Sequence, residues 1–270
     1  MAKFLSKDGK FYMRDGKLLG YTPPKASLTP QSGVTYTSGL PNDWNTMKEI
    51  GMAISEASEF INKYATGSIY VNKENKWAYK ITPGDTINVN NHLYAVMGFN
   101  NFYLSSHGNY GGNHTTAGLT FGAVDCVTAA KMNSSSTNSG GWGNCLMRTS
   151  TMPTLQSGMP GTLAQVKVPY VNYGQSAILY SDDYLFLPAE EEVFGARSYS
   201  PSAEANALTQ FAYYANGGSK IKNRSDWPDW WWLRSIYYGD SLNFCDVSRE
   251  GNADYSTPSY RGGVAPCFCV

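Results

Sequence analysis

The C-terminal end of the chain reads WWWLRS at residues 230–235 and GGVAPCFCV at residues 262–270. An aromatic block and an apolar terminal strand therefore enclose residues 235–262, whose composition is unusual. This segment is built mainly from Tyr, Ser, Asn, Asp, Gly, Arg, Thr and small apolar residues; it lacks Lys, Gln, Met and Trp and has a single Glu, Glu250. An ordinary solvated loop favours Lys and Glu. Tyr, Ser, Gly and Asn are instead typical of binding loops, in which rigid rings supply contact area and small polar residues adapt.

The composition of the whole chain excludes several classes of function. Its 270 residues are enough to bury a core, as one large domain or as a domain with a small appendage. The 21 basic and 21 acidic residues balance, which gives no reason to predict a nucleic-acid partner. The first residues lack an apolar signal segment, and no apolar run is long enough to span a bilayer. We therefore expect synthesis and folding in the cytoplasm, without a signal peptide and without membrane insertion.

The pattern along the chain predicts an α+β fold with much irregular chain, organised as residues 1–41 and residues 42–270. The first 22 residues contain two Asp-Gly-Lys turns between short apolar runs, which predicts small hairpins. A linker rich in Ser, Thr, Pro and Gly follows to about residue 41. Because isolated hairpins are marginally stable in water, we expect the N-terminal region to pair with another chain or to pack on the main domain.

Hydrophobic periodicity predicts the elements of the main domain. Apolar residues recur three and four apart from residue 42 to 64, which indicates a helix that Asn42 or Asp43 can cap. Further helices are predicted at residues 124–132, 188–195 and 203–215. The predicted strands are residues 68–71, 77–81, 83–89, 93–97, 177–180 and 184–187.

The three consecutive tryptophans predict a strand with two different faces. Alternate residues of a strand face opposite sides, so Trp231 should point away from Trp230 and Trp232. Buried indole rings usually belong to the core and donate their N–H to a backbone carbonyl. We expect one face to pack on the core and the other to support the loop that follows.

Residues that could carry chemistry all have a plainer structural explanation. His107 and His114 lie in a Gly/Asn/Ser-rich loop without Cys or carboxylate at ligand spacing, which favours solvated loop histidines over a metal site. Asp182 and Asp183 are explained by a turn. The acids of residues 190–192 are explained by a helix start, where the helix dipole favours negative charge.

The cysteines do not indicate a metal site, a disulfide framework or a reactive thiol. Their spacing does not match that of metal ligands, and their odd number argues against a closed disulfide framework. Cys267 and Cys269 fall on one face of an apolar strand, where a free Cys behaves as a small hydrophobe. No Ser–His–Asp arrangement, P-loop or dinucleotide motif is present. The sequence therefore predicts a protein that is not an enzyme and that has no metal and no other cofactor.

Three segments of the chain together resemble a bacterial and phage domain family with a C-type-lectin-like fold. They are GGWGNCLMR at residues 140–148, LFLPAEEEVFG at residues 185–195, and WWLRS at residues 231–235 paired with GGVAPCF at residues 262–268. Their order and spacing extend the resemblance over residues 42–270. It implies the formylglycine-generating-enzyme-like variant of that fold. The family pattern more often has Arg where this chain has Ala265.

The family includes variable proteins of diversity-generating retroelements, in which mutagenesis directed at adenines rewrites a C-terminal segment. Template codons of the AAY type, randomised at their adenines, exclude Lys, Gln, Glu, Met and Trp. Residues 235–262 obey this exclusion except at Glu250, which must then lie at an unvaried position. The resemblance implies that residues 232–234 and 264–266 are fixed flanks.

Within this segment we expect a division between scaffold and displayed residues. Alternating apolar residues are needed to hold strands, and the expected scaffold residues are Leu242, Phe244, Val247, Gly251 and Gly262. The residues expected to be displayed for ligand binding are Ile236, Tyr237, Tyr238, Asp240, Ser241, Asn243, Asp246, Ser248, Asn252, Asp254, Tyr255, Ser259 and Tyr260.

The resemblance implies a variable receptor-binding protein of a phage or prophage, made in the bacterial cytoplasm and associated with a phage tail or capsid. Its expected target is a protein or glycan of the host-cell surface. Residues 1–41 would attach it to a virion component or to sister subunits, and a homotrimer would add avidity. One alternative is a structural or adhesin-like module with a fixed surface. Another is an oxidase of the formylglycine-generating type, whose copper-binding cysteine pair would have to be Cys267 and Cys269.

Overall fold

Strands and short helices alternate along the chain in an α+β fold. The computed structural model describes residues 5–7, 10–12, 23–105 and 114–270. The helices in these ranges are α1 (Trp44–Glu56), α2 (Gly141–Asn144), α3 (Met152–Gln156), α4 (Glu190–Phe194), α5 (Glu204–Ala207) and α6 (Ala212–Ala215), and a π-helical turn, Met147–Thr151, leads into α3. The strands are β1 (Leu5–Lys7), β2 (Lys10–Tyr12), β3 (Lys25–Ser27), β4 (Thr37–Ser38), β5 (Ile69–Lys73), β6 (Trp77–Ile81), β7 (Thr86–Val89), β8 (His92–Phe99), β9 (Leu119–Ala123), β10 (Thr128–Ala130), β11 (Val166–Tyr170), β12 (Leu179–Asp183), β13 (Leu185–Phe186), β14 (Lys222–Arg224), β15 (Trp227–Asp229), β16 (Trp231–Ile236), β17 (Phe244–Val247), β18 (Ala253–Ser256), β19 (Gly262–Val264) and β20 (Cys267–Cys269).

The central antiparallel sheet has the order β13-β20-β9-β8-β7 and contributes a large part of the hydrophobic core. Phe268 of β20 stacks on Phe121 with ring centroids 5.1 Å apart, and it meets the edge of Tyr94 at the same distance. Helix α1 lies so close to this sheet that a Cβ on Gly118 would be 2.0 Å from the carbonyl oxygen of Gly51. Only glycine at position 118 therefore allows the helix backbone to contact the chain that enters β9.

Helix α1 begins where the sequence predicts and ends earlier. Asp43 is its N-cap: the Thr46 N–H donates to Asp43 Oδ2 at 2.7 Å, and the hydrogen bonds from Thr46 lower the pKa of this carboxyl. The predicted extension to residue 64 is wrong. The Asn100 side chain donates to the carbonyl oxygens of Ile54 at 2.9 Å and Ile61 at 2.5 Å, which fixes a non-helical path after Glu56. No described helix is long and apolar enough to cross a membrane.

The second five-stranded sheet has the order β10-β19-β16-β17-β18 and contains the C-terminal segment. Its two glycines, Gly262 and Gly263, allow close packing, because a Cβ at Gly262 would lie 2.4 Å from the Trp230 ring and one at Gly263 would lie 2.4 Å from Cys126 Sγ. The helix predicted for residues 124–132 is wrong. Residues Thr128–Ala130 instead pair with β19, so backbone groups that a helix would satisfy locally are satisfied by a distant strand.

A four-stranded sheet of order β3-β5-β6-β4 completes the N-terminal side. Strand β3 pairs with β5, and β4 pairs with β6 in parallel, although both β3 and β4 lie in the segment predicted to be a linker. That part of the linker prediction is wrong, because these short polar strands gain their order from their neighbours in the sheet. The first predicted hairpin is confirmed by the antiparallel pair β1 and β2, whereas the turn predicted at residues 15–17 lies outside the described residues.

The other element predictions are mostly confirmed. The strands predicted before residue 100 and those at residues 177–187 are present, and α4 occupies the helix predicted at 188–195. The helix predicted for residues 203–215 is interrupted between α5 and α6. The interruption has a clear cause: the Phe211 N–H donates to the Glu192 carbonyl at 2.8 Å instead of continuing the helix.

Candidate ligand-binding surface

The candidate site lies on the meander β16-β17-β18 and on the loops that join these strands. Every residue of β16 and β17 is buried, while residues of β18 and of the connecting loops reach the surface. The meander thus has a buried base and an accessible edge. The contacts of the base determine how firmly the edge is held.

The tryptophans at the start of the meander face two sides, as predicted. The rings of Trp230 and Trp232 meet edge to face with centroids 4.8 Å apart, and Trp231 lies on the opposite side. The Trp231 Nε1 donates to the Lys220 carbonyl at 2.9 Å, and the Trp232 Nε1 donates to the Ala130 carbonyl at 3.0 Å. The Lys222 ammonium lies 5.0 Å from the Trp231 ring centroid, a cation–π contact. Both sides of the strand are therefore anchored in the protein.

A buried ion pair between Arg234 and Glu192 connects β16 to α4. The Arg234 guanidinium donates to both carboxylate oxygens of Glu192, at 2.6 and 2.7 Å, a bidentate geometry. It also donates to the carbonyl oxygens of Leu187 at 2.8 Å and Pro169 at 2.9 Å. Burial alone would lower the pKa of Arg234, but the adjacent Glu192 raises it above its usual value. The arginine therefore stays charged and holds three segments of chain together.

Ser235 extends this buried network to α5. Its hydroxyl donates to Glu204 Oε2 at 2.6 Å and accepts the Glu190 N–H at 2.9 Å. The Glu190 carboxylate in turn accepts the N–H groups of Tyr199 and Ser200, the latter at 2.7 Å. The acids of residues 190–192 do open a helix, as predicted, but Glu190 and Glu192 are also buried and hydrogen-bonded to distant segments. The local sequence predicted the start of the helix, but it did not predict the distant hydrogen-bond partners of Glu190 and Glu192.

The accessible edge carries a tyrosine cluster formed by Tyr199, Tyr237, Tyr238 and Tyr255. Tyr237 and Tyr255 stack in parallel with centroids 4.1 Å apart. Tyr199 meets both of them edge to face, at 6.0 and 5.0 Å, and Tyr238 meets Tyr237 at 5.5 Å. A concavity of about 360 Å³ adjoins the cluster, and Tyr238 and Arg197 are part of its lining. Rigid rings beside a concave surface with an arginine are the features that concentrate binding energy in protein interfaces.

Asn138 fixes the loop that joins β16 to β17, and sequence reasoning did not identify it. Its buried side chain donates to the carbonyl oxygens of Asp240 at 2.9 Å and Asn243 at 2.8 Å, and its own N–H donates to the Ser241 carbonyl at 2.9 Å. The Asn243 amide also donates to the Asp240 carboxylate at 2.9 Å. The loop is therefore held from below by a residue about one hundred positions away. An Asn within a Ser- and Gly-rich stretch gives no signal of such a role.

The residues predicted to be displayed do not all reach the surface. The prediction is wrong for Ile236 and Asp246, which are both 1% exposed: Ile236 ends the buried strand β16, and Asp246 lies in β17 between Trp232 and Asp254. Five are half-buried: Tyr237, Asp240, Asn243, Ser248 and Ser259. The exposed ones are Tyr238, Ser241, Asn252, Asp254, Tyr255 and Tyr260.

The predicted scaffold residues are mostly confirmed. Phe244, Val247 and Gly262 are buried, and Gly251 adopts a φ of +83°, a conformation that favours glycine. Leu242 is the exception: the loop that Asn138 holds turns this side chain outward, so it is exposed.

The five cysteines are free and buried, which confirms the prediction that Cys267 and Cys269 are small hydrophobic residues of the core. Burial raises the pKa of the Cys269 thiol to about 12 and also raises that of Cys267. A reactive thiol needs the opposite, a lowered pKa and partial exposure. Within the described ranges no group of three or more His, Cys, Asp and Glu side chains is placed to hold a metal ion.

The remaining candidate residues occupy structural positions. His107 lies outside the described residues. The prediction of a solvated histidine is wrong for His114, whose side chain is 6% exposed; burial lowers its pKa although Glu56 lies 3.8 Å away. The prediction of a turn is wrong for Asp182, which lies in strand β12, and equally for Asp183. The Asp183 carboxylate accepts hydrogen bonds from Trp142 at 2.9 Å and from Arg148 at 2.6 Å, so the GGWGNCLMR segment is tied to β12.

These elements define an α+β protein with a C-terminal meander that has a buried base and an aromatic edge. The chain belongs to the family described as "Domain of unknown function (DUF6273)", whose model matches residues 120–270. The matched region runs from β9 to β20 and includes the buried network and the tyrosine cluster. No curated protein and no solved structure matches the chain.

Removing the buried guanidinium of Arg234 should destabilise the protein strongly. The Arg234→Met variant leaves Glu192 buried without its partner, and we expect the free energy of unfolding to fall by ~3–5 kcal/mol. A matched control is Arg249→Met: this arginine is exposed and lies 3.6 Å from Asp229, so its loss should change stability by less than ~1 kcal/mol. Chemical denaturation measures both. A loss for Arg234→Met as small as that of the control would contradict the structural role.

Two buried carboxyls should make stability depend on pH. Burial raises the pKa of Glu204 and of Asp246 to about 7 each, well above the usual range of a carboxyl group. The folded protein thus retains protons that the unfolded chain has released, so stability should fall as pH rises from about 4 to about 7. Unfolding curves measured at several pH values give the free energy of unfolding as a function of pH. The Asp246→Asn variant should show a smaller decrease with rising pH than the parent, whereas a variant at the exposed Asp226, Asp226→Asn, should show the same decrease as the parent. Identical pH profiles for the two variants would refute the assignment.

Proposed function

We propose that the protein binds a target through the tyrosine cluster and the surrounding residues of the C-terminal meander, and that this surface is varied by a diversity-generating retroelement. The proposal includes a C-type-lectin-like fold. The observation that carries it is the cluster itself: Tyr199, Tyr237 and Tyr255 all contact one another, Tyr238 contacts Tyr237, and the four rings lie at the accessible edge of a buried, hydrogen-bonded base. A surface that must keep its shape while its side chains change requires such a base.

The distribution of residue types supports this proposal. The proposed fixed flanks and most of the proposed scaffold residues are buried, among them Trp232, Arg234, Phe244 and Val247. Apart from Glu250, the exposed positions of residues 235–262 carry residue types that randomised AAY codons encode, namely Tyr, Arg, Ser, Asn, Asp, Gly and Leu. Glu250, which such codons cannot encode, is exposed in the turn between β17 and β18, where the Ser248 hydroxyl donates to its carboxylate at 2.9 Å. We assign Glu250 to an unvaried codon within the segment.

The proposed context is a phage or prophage. The target would be a protein or glycan of the host-cell surface, contacted by Tyr238, Tyr255 and their neighbours. Residues 1–41 would join the domain to a virion component of the tail or capsid, or to sister subunits in a homotrimer, so that several weak sites act together. The oxidase alternative gains no support from Cys267 and Cys269, whose thiols are buried.

The neighbouring DNA provides a direct test of programmed variation. It should contain a reverse-transcriptase gene and a near-copy of the codons for residues 235–262 that differs only opposite template adenines. The codon for Glu250 should be identical in both copies. If the near-copy is absent, or differs at other bases, programmed variation is excluded and an adhesin-like module with a fixed surface takes its place.

Tolerance to substitution gives a second test, at the level of the protein. A fourfold variant with alanine at Tyr238, Ser241, Asn252 and Tyr260 should unfold with a free energy within ~1–2 kcal/mol of the parent, because these side chains are exposed. Phe244→Ala, in the buried strand between them, should lose ~3–5 kcal/mol. Chemical denaturation compares the two. Equal losses would show that the exposed positions are part of the scaffold and not free to vary.

A further inference from the structure

A second concavity of about 360 Å³ lies away from the tyrosine cluster. It opens between the segment that follows α1, the residues after β8, and the hairpin of β11 and β12. Its volume is in the range of small-molecule sites, roughly 300–1,000 Å³. None of its lining residues belongs to residues 235–262, so it is distinct from the proposed variable surface.

The walls of this pocket are held by hydrogen bonds and are formed before any ligand binds. The Lys167 N–H donates to the Tyr103 carbonyl at 2.8 Å, and Tyr103 forms a β-bridge with Thr116. The Thr116 hydroxyl donates to Asn100 Oδ1 at 2.7 Å, and the Asn100 amide holds the chain after α1 through Ile61. A preformed site loses little conformational entropy on binding.

Three exposed tyrosines line the pocket. Tyr64, Tyr103 and Tyr180 are 67%, 63% and 54% exposed, and they come from three separate segments of the chain. The Lys63 ammonium lies 5.4 Å from the centroid of the Tyr64 ring, so Tyr103 and Tyr180 are the two rings that offer apolar faces together with hydroxyl groups. The ring of a sugar has the matching chemistry, with C–H groups on its faces and hydroxyls around its edge.

The pocket also has an excess of positive charge. Lys63 and Lys167 both line it, and neither ammonium has a carboxylate within 4.0 Å among the described residues. The carboxylate of Glu192 at the pocket base is neutralised by Arg234 at 2.6 Å. Asp182 lies opposite Lys167 in the register of β11 and β12, but it does not line the pocket. The pocket therefore favours a ligand with a negative charge.

We propose that this pocket binds a sugar that carries a negative charge, with Tyr103 and Tyr180 contacting the faces of the ring and Lys63 and Lys167 contacting the anionic group. A carboxylate or a phosphate can supply that charge, because a lysine ammonium acts as a point charge toward both. The site is distinct from the tyrosine cluster, so its occupancy does not depend on the proposed variation.

Titration of the full chain with four probes tests this proposal by NMR: galacturonate, glucose 6-phosphate, glucose and inorganic phosphate. Shifts at the pocket residues should be largest with galacturonate or glucose 6-phosphate, and the stronger of the two identifies the anionic group. Equal binding of glucose would overturn the role of the charge, and equal binding of inorganic phosphate would overturn the role of the sugar ring. No shift with either anionic sugar would overturn the proposal.

Variants then locate the site. Lys167→Gln should weaken binding of the stronger probe by roughly fivefold, and Tyr180→Ala by roughly tenfold. Asp182→Asn should strengthen it, because the carboxylate opposite Lys167 is removed. Tyr238→Ala, in the tyrosine cluster, should leave it unchanged. If the Tyr238 variant loses binding while those of Lys167 and Tyr180 retain it, the sugar binds at the proposed variable surface and this pocket is not its site.

Discussion

The bidentate pair between Arg234 and Glu192 is the interaction on which the rest of this structure depends. It joins the strand that starts the C-terminal meander to helix α4, and the same guanidinium holds the carbonyls of Leu187 and Pro169. Two opposite charges without water are stable together only when their hydrogen bonds are satisfied. The pair therefore imposes one register on β16, and through β16 on the two strands that follow. Glu192 also lines the pocket that contains Lys63 and Lys167.

Sequence periodicity predicted those elements that are determined by local contacts. The apolar spacing of α1, its cap at Asp43 and the alternating strands before residue 100 all follow from how a single helix or strand buries one side. Elements determined by a distant partner were mispredicted. The end of α1 depends on the Asn100 side chain, and β10 depends on pairing with β19. No window of neighbouring residues contains that information.

The sequence likewise predicted only those features of the candidate site that depend on local residues. Its location in residues 235–262 came from composition, and the burial of Phe244 and Val247 came from alternation. The same alternation failed at Ile236 and Asp246, because the sheet is covered on both sides there and a polar residue such as Asp246 is buried with the apolar ones. The contacts that Asn138 and Tyr199 make with residues 235–262 could not be predicted from that segment, since both residues lie outside it.

The contacts within the tyrosine cluster have a consequence for any variation of this surface. Tyr237 and Tyr255 are separated by seventeen residues in the chain, yet they stack on each other, and both touch Tyr199. Substitutions at residues in contact do not contribute additively to free energy. A change at position 237 therefore alters what a change at position 255 can do, with Tyr199 as their common neighbour. The two positions are therefore energetically linked, and the effect of a substitution at one depends on the residue present at the other.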